Sequence, residues 1–310
     1  MVKLQDIANL TGLSIATVSY SLNNDPRIPD DTKHIVLEAA QKLGYKGKAG
    51  KRITEHQTKQ IVLCLNTVSG EVFTTIIDAM RNTLNLNQCE LLVYLGSDIS
   101  NIKGVDGLII LNSKVSNDDI DKIASRHIPM VLMDREHSFR HSVCVTADNF
   151  QGGYEVTRYA LSSGAQSFVF VGGPQESFES KLRYDGFISA LSSANLVNNT
   201  FTIQTDFTYD GGFTASRFIL ENNKNVDAIV CANDEIALGI LAGLKKRGLD
   251  KKIIVTGFDG TTSALSPSPK FATAKIDHKY WATTSAYVMI QMLSNINQKS
   301  IKIPAELIIP

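Results

Sequence analysis

Nowhere in the 310 residues does an apolar run reach the 18 that a membrane-spanning helix requires, so no bilayer-spanning segment is expected. The opening Met1-Val2-Lys3-Leu4-Gln5-Asp6 has no apolar secretion segment, which argues for a cytoplasmic protein. Only four cysteines occur, Cys64, Cys89, Cys144 and Cys231, and no two of them form a C-x-x-C pair. Zinc-binding and thiol-redox motifs are therefore missing, and buried reduced thiols are the expectation. Also missing are the G-x-S-x-G nucleophile elbow, the G-x-x-x-x-G-K phosphate loop and the G-x-G-x-x-G dinucleotide fingerprint. An enzyme would have no nucleophile, base or cofactor loop to stand on, so no catalysis and no cofactor are expected. His137, His141 and Cys144 have spacings that a metal could use, but "REHSFRHSV" reads as a loop before a strand, and no metal site is expected there. The paired glycines at 152–153, 172–173 and 211–212 read as turn or helix-entry residues.

Net charge is lacking as well, with 31 Lys and Arg against 31 Asp and Glu. The balance is uneven along the chain. Residues 1–60 hold nine basic against six acidic groups, and Lys42, Lys46, Lys48, Lys51, Arg52 and Lys59 face only Glu55. Such a run is usually a solvated linker, but between a small helical unit and a large body it can track phosphates. Hydrophobic residues at 43% and charged residues at 20% suit a globular chain of two or three domains with a sizeable core.

The first 45 residues read as three short helices. Leu4, Ile7, Ala8 and Leu10 make one apolar stripe, Gly12 is suited to a left-handed helix end, and Ser14 to an N-cap. Val18 and Leu22 share a face of the second helix. Asp30 is read as the cap of a third, with Ile35, Ala39 and Leu43 inside. From Ile61 onward strands and helices alternate. Strands are predicted at 61–65, 90–95, 107–111, 129–133, 142–145, 168–172, 228–232, 253–258 and 271–276; helices fall near 74–86, 117–126, 150–163, 180–193, 211–222, 234–247 and 279–295. Near-continuous apolar strands with helical crossovers imply parallel sheets covered on both faces. So many strands exceed one comfortable sheet, and two similar α/β subdomains with a cleft between them are predicted, the ligand lying beyond the strands' carboxyl ends. Only "GSDISNIKG" separates 90–95 from the next strand, too short for the usual parallel crossover. Either a single helical turn bridges it, or the two strands are joined in another way.

Taken alone, "LTGLSIATVSYSLNN" (10–24) is either a helical corner without a partner or a helix made for a DNA groove. "DIANLTGLSIATVSYSLNNDPRIPDDTKHIVLEAAQKLGY" (6–45) resembles the DNA-binding head of the LacI/GalR family of bacterial transcriptional repressors. The likeness continues through "LRYDGFISAL" (182–191), "AIVCANDEIALGIL" (228–241) and "VTGFDG" (255–260), motifs shared in part with periplasmic sugar-binding proteins. The resemblance implies an α/β fold class: an all-α helix-turn-helix head (1–45), a hinge (46–60), and a periplasmic-binding-protein-like body of two doubly wound parallel-sheet subdomains. Their expected extents are 61–147 with about 279–305, and 148–278 with about 306–310. A homodimer would present two heads to a pseudo-palindromic double-stranded operator. The alternative is a small-molecule binding protein whose head has lost specific DNA binding.

By the same resemblance, Ile15, Ala16 and Tyr20 stand where bases are read, and Ser14, Thr17 and Ser19 where hydroxyls meet phosphates; Asn23, Lys33, Tyr45 and Arg52 extend the DNA-facing set. Ile15 and Ala16 can touch a thymine methyl but cannot make bidentate hydrogen bonds. The hinge departs most from the family pattern, with glycines at 47 and 50 and one residue fewer before Thr58-Lys59. The minor-groove wedge falls on Ile53 or Thr54, and Ile53 is the apolar choice suited to unstacking a base step. Each glycine costs about 1 kcal/mol against alanine if helical, so a hinge ordered only on DNA is expected. The family's effector-cleft positions hold Val72, Phe73, Asp134, Arg183, Phe207, Asn233, Asp259 and His278. Carboxylates and amides for paired hydroxyls, a guanidinium fork and an aromatic face suit a sugar or sugar phosphate. For three of these a structural role competes: Asp259 before a turn, Asn233 as a helix cap, Phe207 in the core. The chain ends at "ELIIP" with no heptad tail, so nothing beyond a dimer is expected.

Overall fold

The computed structural model describes residues 2–22, 25, 27–45, 58–136, 139–222, 225–266 and 270–310. The chain divides into two compact units at Thr58/Lys59. The expected hinge residues Gly47, Gly50, Arg52 and Ile53, together with Asn23 and His137, lie outside the described residues.

The first unit holds α1 (Leu4–Thr11), α2 (Ile15–Leu22) and α3 (Asp30–Leu43). Gly12 ends α1 at φ 71°, its N–H bonded to the Ala8 carbonyl, the left-handed stop that glycine takes without a Cβ clash. The Ser14 hydroxyl accepts the Thr17 N–H at 3.0 Å, capping α2 at its third residue. Ile7, Ala8, Val18, Val36, Ala39 and Ala40 form a small core with Leu4, Leu13, Leu22, Leu43 and Tyr45 at its margin. The inner face of α3 differs from the predicted one. Val36 and Ala40 are buried beside Ala39, while Ile35 turns out to solvent, as does Leu10 of α1. Asp30 is the first helical residue rather than the cap.

The second unit contains two six-stranded sheets. The first takes β1 (Lys59–Leu65), β2 (Cys89–Leu95), β3 (Gly107–Leu111), β4 (Met130–Leu132), β5 (Ser142–Ala147) and, from the chain's end, β11 (Ile301–Ile303), in the order β11-β5-β4-β3-β1-β2. Its helices are α4 (Glu71–Asn85), α5 (Asn117–Ala124) and α11 (His278–Leu293). The second takes β6 (Phe168–Gly172), β7 (Thr200–Gln204), β8 (Ala228–Cys231), β9 (Ile254–Asp259), β10 (Ala272–Ile276) and β12 (Ala305–Ile308), in the order β12-β10-β9-β8-β6-β7. Its helices are α6 (Asn149–Ser162), α7 (Phe178–Ser193), α8 (Tyr209–Asn222), α9 (Asp234–Lys245) and the short α10 (Thr262–Leu265). All pairs are parallel except β10 with β12. The chain passes between the sheets after β5, after β10 and between β11 and β12. Three strands escaped prediction. β7, β11 and β12 are edge strands whose side chains, Ile303 apart, are partly buried or exposed, and they lack the continuous apolar run.

The short connection after β2 is resolved in an unusual way. β2 and β3 both pair in parallel with β1, one on each side, and no helix lies between them. Ile99 takes the missing helix's place, fully buried among Val62, Cys64, Leu108 and Ile110. Arg126 ties the segment down through the Ser100 and Ile102 carbonyls.

Two of the three glycine pairs are helix-entry residues and Gly172 closes β6. Gly152 and Gly153 lie inside α6, and Gly211 and Gly212 inside α8. A Cβ on Gly153 would stand 2.3 Å from the Arg183 carbonyl oxygen; one on Gly186 of α7 would stand 2.2 Å from that of Phe150. Gly212 and Gly239 do the same for α8 and α9, at 2.3 Å from the Ile236 carbonyl and 2.1 Å from that of Tyr209. These glycines let two helix pairs cross backbone against backbone, which seats α7 and Arg183 directly against α6.

Candidate functional site

In the head, Ser14, Ile15, Ala16 and Tyr20 are exposed on α2, while Val18 and Ser21 face inward. Ile15 and Tyr20 are each nearly half accessible, and with Leu10 and Ile35 they are the large apolar groups exposed among the described residues of this very small domain. Thr17 and Ser19 are partly covered, and the Thr17 hydroxyl lies 2.8 Å from that of Ser14. The Ser14 oxygen is therefore engaged by the helix itself. Lys33 and Tyr45 are half-buried on and after α3, with Tyr45 against the head core. Sequence reasoning passed over Arg27. Its guanidinium lies 5.0 Å from the Tyr20 ring centroid and makes a two-point pair with Asp25 at 2.9 and 2.7 Å. The arginine holds the Asp25 carboxyl down at about 2. The pair sets a guanidinium beside the exposed Tyr20 ring.

In the body, four strand ends aim residues at one region. Asp134 follows β4, Phe207 follows β7, Asn233 follows β8 and Asp259 closes β9. Arg183 reaches the same place from α7. Its guanidinium stacks 3.7 Å from the Phe258 ring centroid, gives Nε to Asn149 Oδ1 at 2.8 Å and Nη1 to the Ala232 carbonyl at 2.6 Å. Only Nη2 is left, 3.6 Å from Asp259 Oδ1, longer than a hydrogen bond. Asp259 sits at φ 105°, a backbone conformation that costs a non-glycine residue about 1–3 kcal/mol and concentrates at functional sites. Burial pushes its carboxyl up to about 7, against the opposing pull of Arg183.

Two of the expected ligand contacts are engaged within the protein. Asp134 is almost wholly covered, paired at 2.9 Å on both oxygens with the neighbouring Arg135 and accepting the Asn112 N–H at 3.0 Å. Arg135 spends its other donors on the Val115 and Asn112 carbonyls and Asn117. Asn233 caps α9 through the Ile236 N–H and gives its amide to the Phe207 carbonyl. Phe207 stands at φ 68° with its ring over Gly173, where any Cβ would collide with it. Val72 and Phe73 open α4 half-buried against the core. His278 begins α11, and burial, with Arg183 nearby, depresses it to about 4, so the ring is neutral at neutral pH.

Four polar residues at this site were not among those expected from sequence. Asn149 holds Arg183. Asp234 is buried at the start of α9, ties the Thr261 N–H at 2.7 Å and the Thr273 hydroxyl at 2.7 Å, and is raised to about 6 by burial. Glu179 lies one turn before Arg183 on the same face of α7, a spacing that does signal a shared site. Glu71, at the start of α4, crosses to the other half of the body. Its carboxylate accepts the Thr262 N–H at 2.9 and 3.0 Å and the Thr262 hydroxyl at 2.6 Å. Among the described residues no cluster could hold a metal ion; His141 faces His127 at 4.9 Å, and Cys144 is buried in β5.

Residues 3–47 match the family model for bacterial regulatory proteins, lacI family, and residues 98–268, more than half of the chain, match the periplasmic binding protein domain. The chain belongs to the LacI family. It is a DNA-binding transcriptional regulator with a ligand-binding body of the periplasmic type. Curated relatives include the HTH-type transcriptional repressor PurR of Actinobacillus pleuropneumoniae, 29% identical over 295 residues and covering 88% of this chain and 85% of the relative. Catabolite control protein A of Priestia megaterium is 25% identical, covering 87% and 86%. Among solved structures, a sugar-binding LacI-family regulator from Enterococcus faecalis superposes with a TM-score of 0.75 at 24% identity, covering 82% of this chain and 97% of that one. The lac repressor dimer bound to operator and the anti-inducer ONPF gives 0.73 at 20% identity, covering 99% and 97%. No helix among the described residues is long and apolar enough to cross a membrane.

Proposed function

We propose that this regulator is a cytoplasmic, homodimeric, non-enzymatic repressor that reads a pseudo-palindromic operator and releases or tightens it when a small polyol fills the body's cleft. Ile15, Ala16 and Tyr20 read base edges, with Ser14, Thr17, Ser19, Asn23, Lys33, Tyr45 and Arg52 on phosphates and Ile53 as the minor-groove wedge. In the cleft Arg183 and Asp259 are the principal ligand contacts. Phe207, Val72, Phe73 and His278 shape its walls, and Asp134 and Asn233 hold the lining in place. The observation that carries the reading is the unfinished pair at the strand ends: a guanidinium with one idle nitrogen beside a strained carboxylate that, among the described residues, has no hydrogen-bond donor. The ligand matters through its differential affinity for the DNA-competent arrangement.

Selection of bound duplexes from a random pool, at a stated near-physiological salt, tests the head. A two-fold symmetric site is expected, and folded protein that enriches nothing would overturn the operator reading. With that site in hand, Arg183→Ala is expected to keep operator binding and abolish the effector response.

A further inference from the structure

The charges of the effector cleft do not balance. On the β4 side, Asp134 is neutralised by Arg135, whose remaining donors are all taken by protein oxygens. Across from them Arg183 is the cation whose charge acts on both Glu179 and Asp259, with one nitrogen idle, while Lys275 and Lys279 line the adjoining pocket beside His278. Asp259 receives no hydrogen bond from any described residue and stays 3.6 Å from Arg183. Glu179 accepts the Ser177 hydroxyl at 3.0 Å on Oε2, while Oε1 has no donor among the described residues. His278 carries no charge to offset them at neutral pH. Of the two carboxylates only Asp259 comes within 4 Å of the guanidinium, at 3.6 Å, and Glu179 feels Arg183 without pairing with it. Burial and the facing Asp134 push Glu179 up to about 7, as burial does Asp259, which is the electrostatic mark of carboxylates awaiting a cation.

Resting on the effector reading above, we propose that the ligand is a cationic polyol, an amino sugar, with its ammonium between Glu179 and Asp259 and a hydroxyl on Arg183 Nη2. A sugar phosphate fits poorly: its dianion would meet two carboxylates and a guanidinium whose other donors are committed. A neutral hexose leaves one carboxylate without a partner. The chemistry therefore separates three ligand classes that share one ring.

Calorimetric titration of the full-length protein with glucose, galactose and mannose, their 2-amino forms and their 6-phosphates distinguishes the classes. At least one hexosamine is expected to bind about tenfold or more tightly than its parent hexose, the worth of one charged hydrogen bond. Glu179→Gln is expected to remove that preference, with circular dichroism confirming that the variant is folded. A neutral or phosphorylated hexose that binds as well as its amine overturns the cationic assignment while the effector cleft stands. Silence across the whole panel overturns the polyol reading itself. A hexosamine preference that survives in Glu179→Gln removes Glu179 from the site and refutes the assignment as drawn.

Discussion

Replacing Gly153 by alanine inserts one methyl group where α6 crosses α7. In an isolated helix that change stabilises by about 1 kcal/mol. Here the new Cβ would lie 2.3 Å from the Arg183 carbonyl oxygen and 2.9 Å from its Cα. Real Cβ contacts do not come under 3.0 Å, and both neighbours are backbone atoms, so α7 has to retreat by roughly 0.7 Å at that point. Overpacking of a tight core costs about 1–3 kcal/mol, and a rigid backbone neighbour belongs at the upper end. Set against the helix propensity gain, a net loss of about 2 kcal/mol is expected. For a unit of this size that is roughly 4–8 °C in Tm. Trp281 is the chain's only tryptophan, buried in the body with Nε1 donating to the Val145 carbonyl at 2.7 Å, so its fluorescence follows this unit's unfolding. Because the displaced atoms belong to Arg183 itself, effector affinity should fall with stability. An unchanged or raised Tm would refute the close helix crossing and the positioning of Arg183 that depends on it.

Three further outcomes are expected. Tyr20→Arg should shift the selected operator toward guanine at one position of each half-site, since arginine pairs two-fold with guanine; an identical selected sequence would remove Tyr20 from base reading. Glu71→Ala takes away the clasp on Thr262 between the two halves of the body. At about 1 kcal/mol for such an exposed contact, effector release should quicken roughly fivefold, and an unaltered dissociation rate would show that the clasp does not hold the closed form. For pH, Asp259 is raised in the folded state, so its stabilising contribution is full below its ordinary range near 3.8 and is lost as pH rises through about 7. Between pH 5.5 and 7.5 this amounts to about 2 kcal/mol, which Asp259→Asn should remove from the pH dependence of urea unfolding. His278 runs the opposite way, losing its contribution as pH falls from 6.5 through about 4. A pH profile unmoved by Asp259→Asn would sink the assignment of a largely covered carboxyl raised by burial.

Much of this molecule was legible in the sequence because much of it is local. Gly12 and Ser14 announce a helix end and a cap through their own backbone and side-chain chemistry, and both act that way. Apolar runs of strand length marked β1, β3, β6 and β8 because a strand buried on both faces must be apolar throughout. Alternation of strands and helices implied parallel sheets, and the strand ends placed Asp134, Asn233 and Asp259 near a common region. Tertiary structure alone decided what each group meets. Periodicity could not choose between Ile35 and Val36 on α3, since adjacent positions flank the same stripe and the choice depends on how three helices lean together. Ile99 fills a helix's place because β1 happens to lie between β2 and β3. Arg135 claims Asp134, Asn233 is taken up by a cap and a loop, and Glu179 and Asp259 are left short of donors. The Asp134–Arg135 pair and the Asn233 cap are local, but the carbonyls that hold Arg135, the Phe207 carbonyl that takes the Asn233 amide and the burial of Glu179 and Asp259 come from segments 20 or more residues away or from packing, which no window of sequence contains.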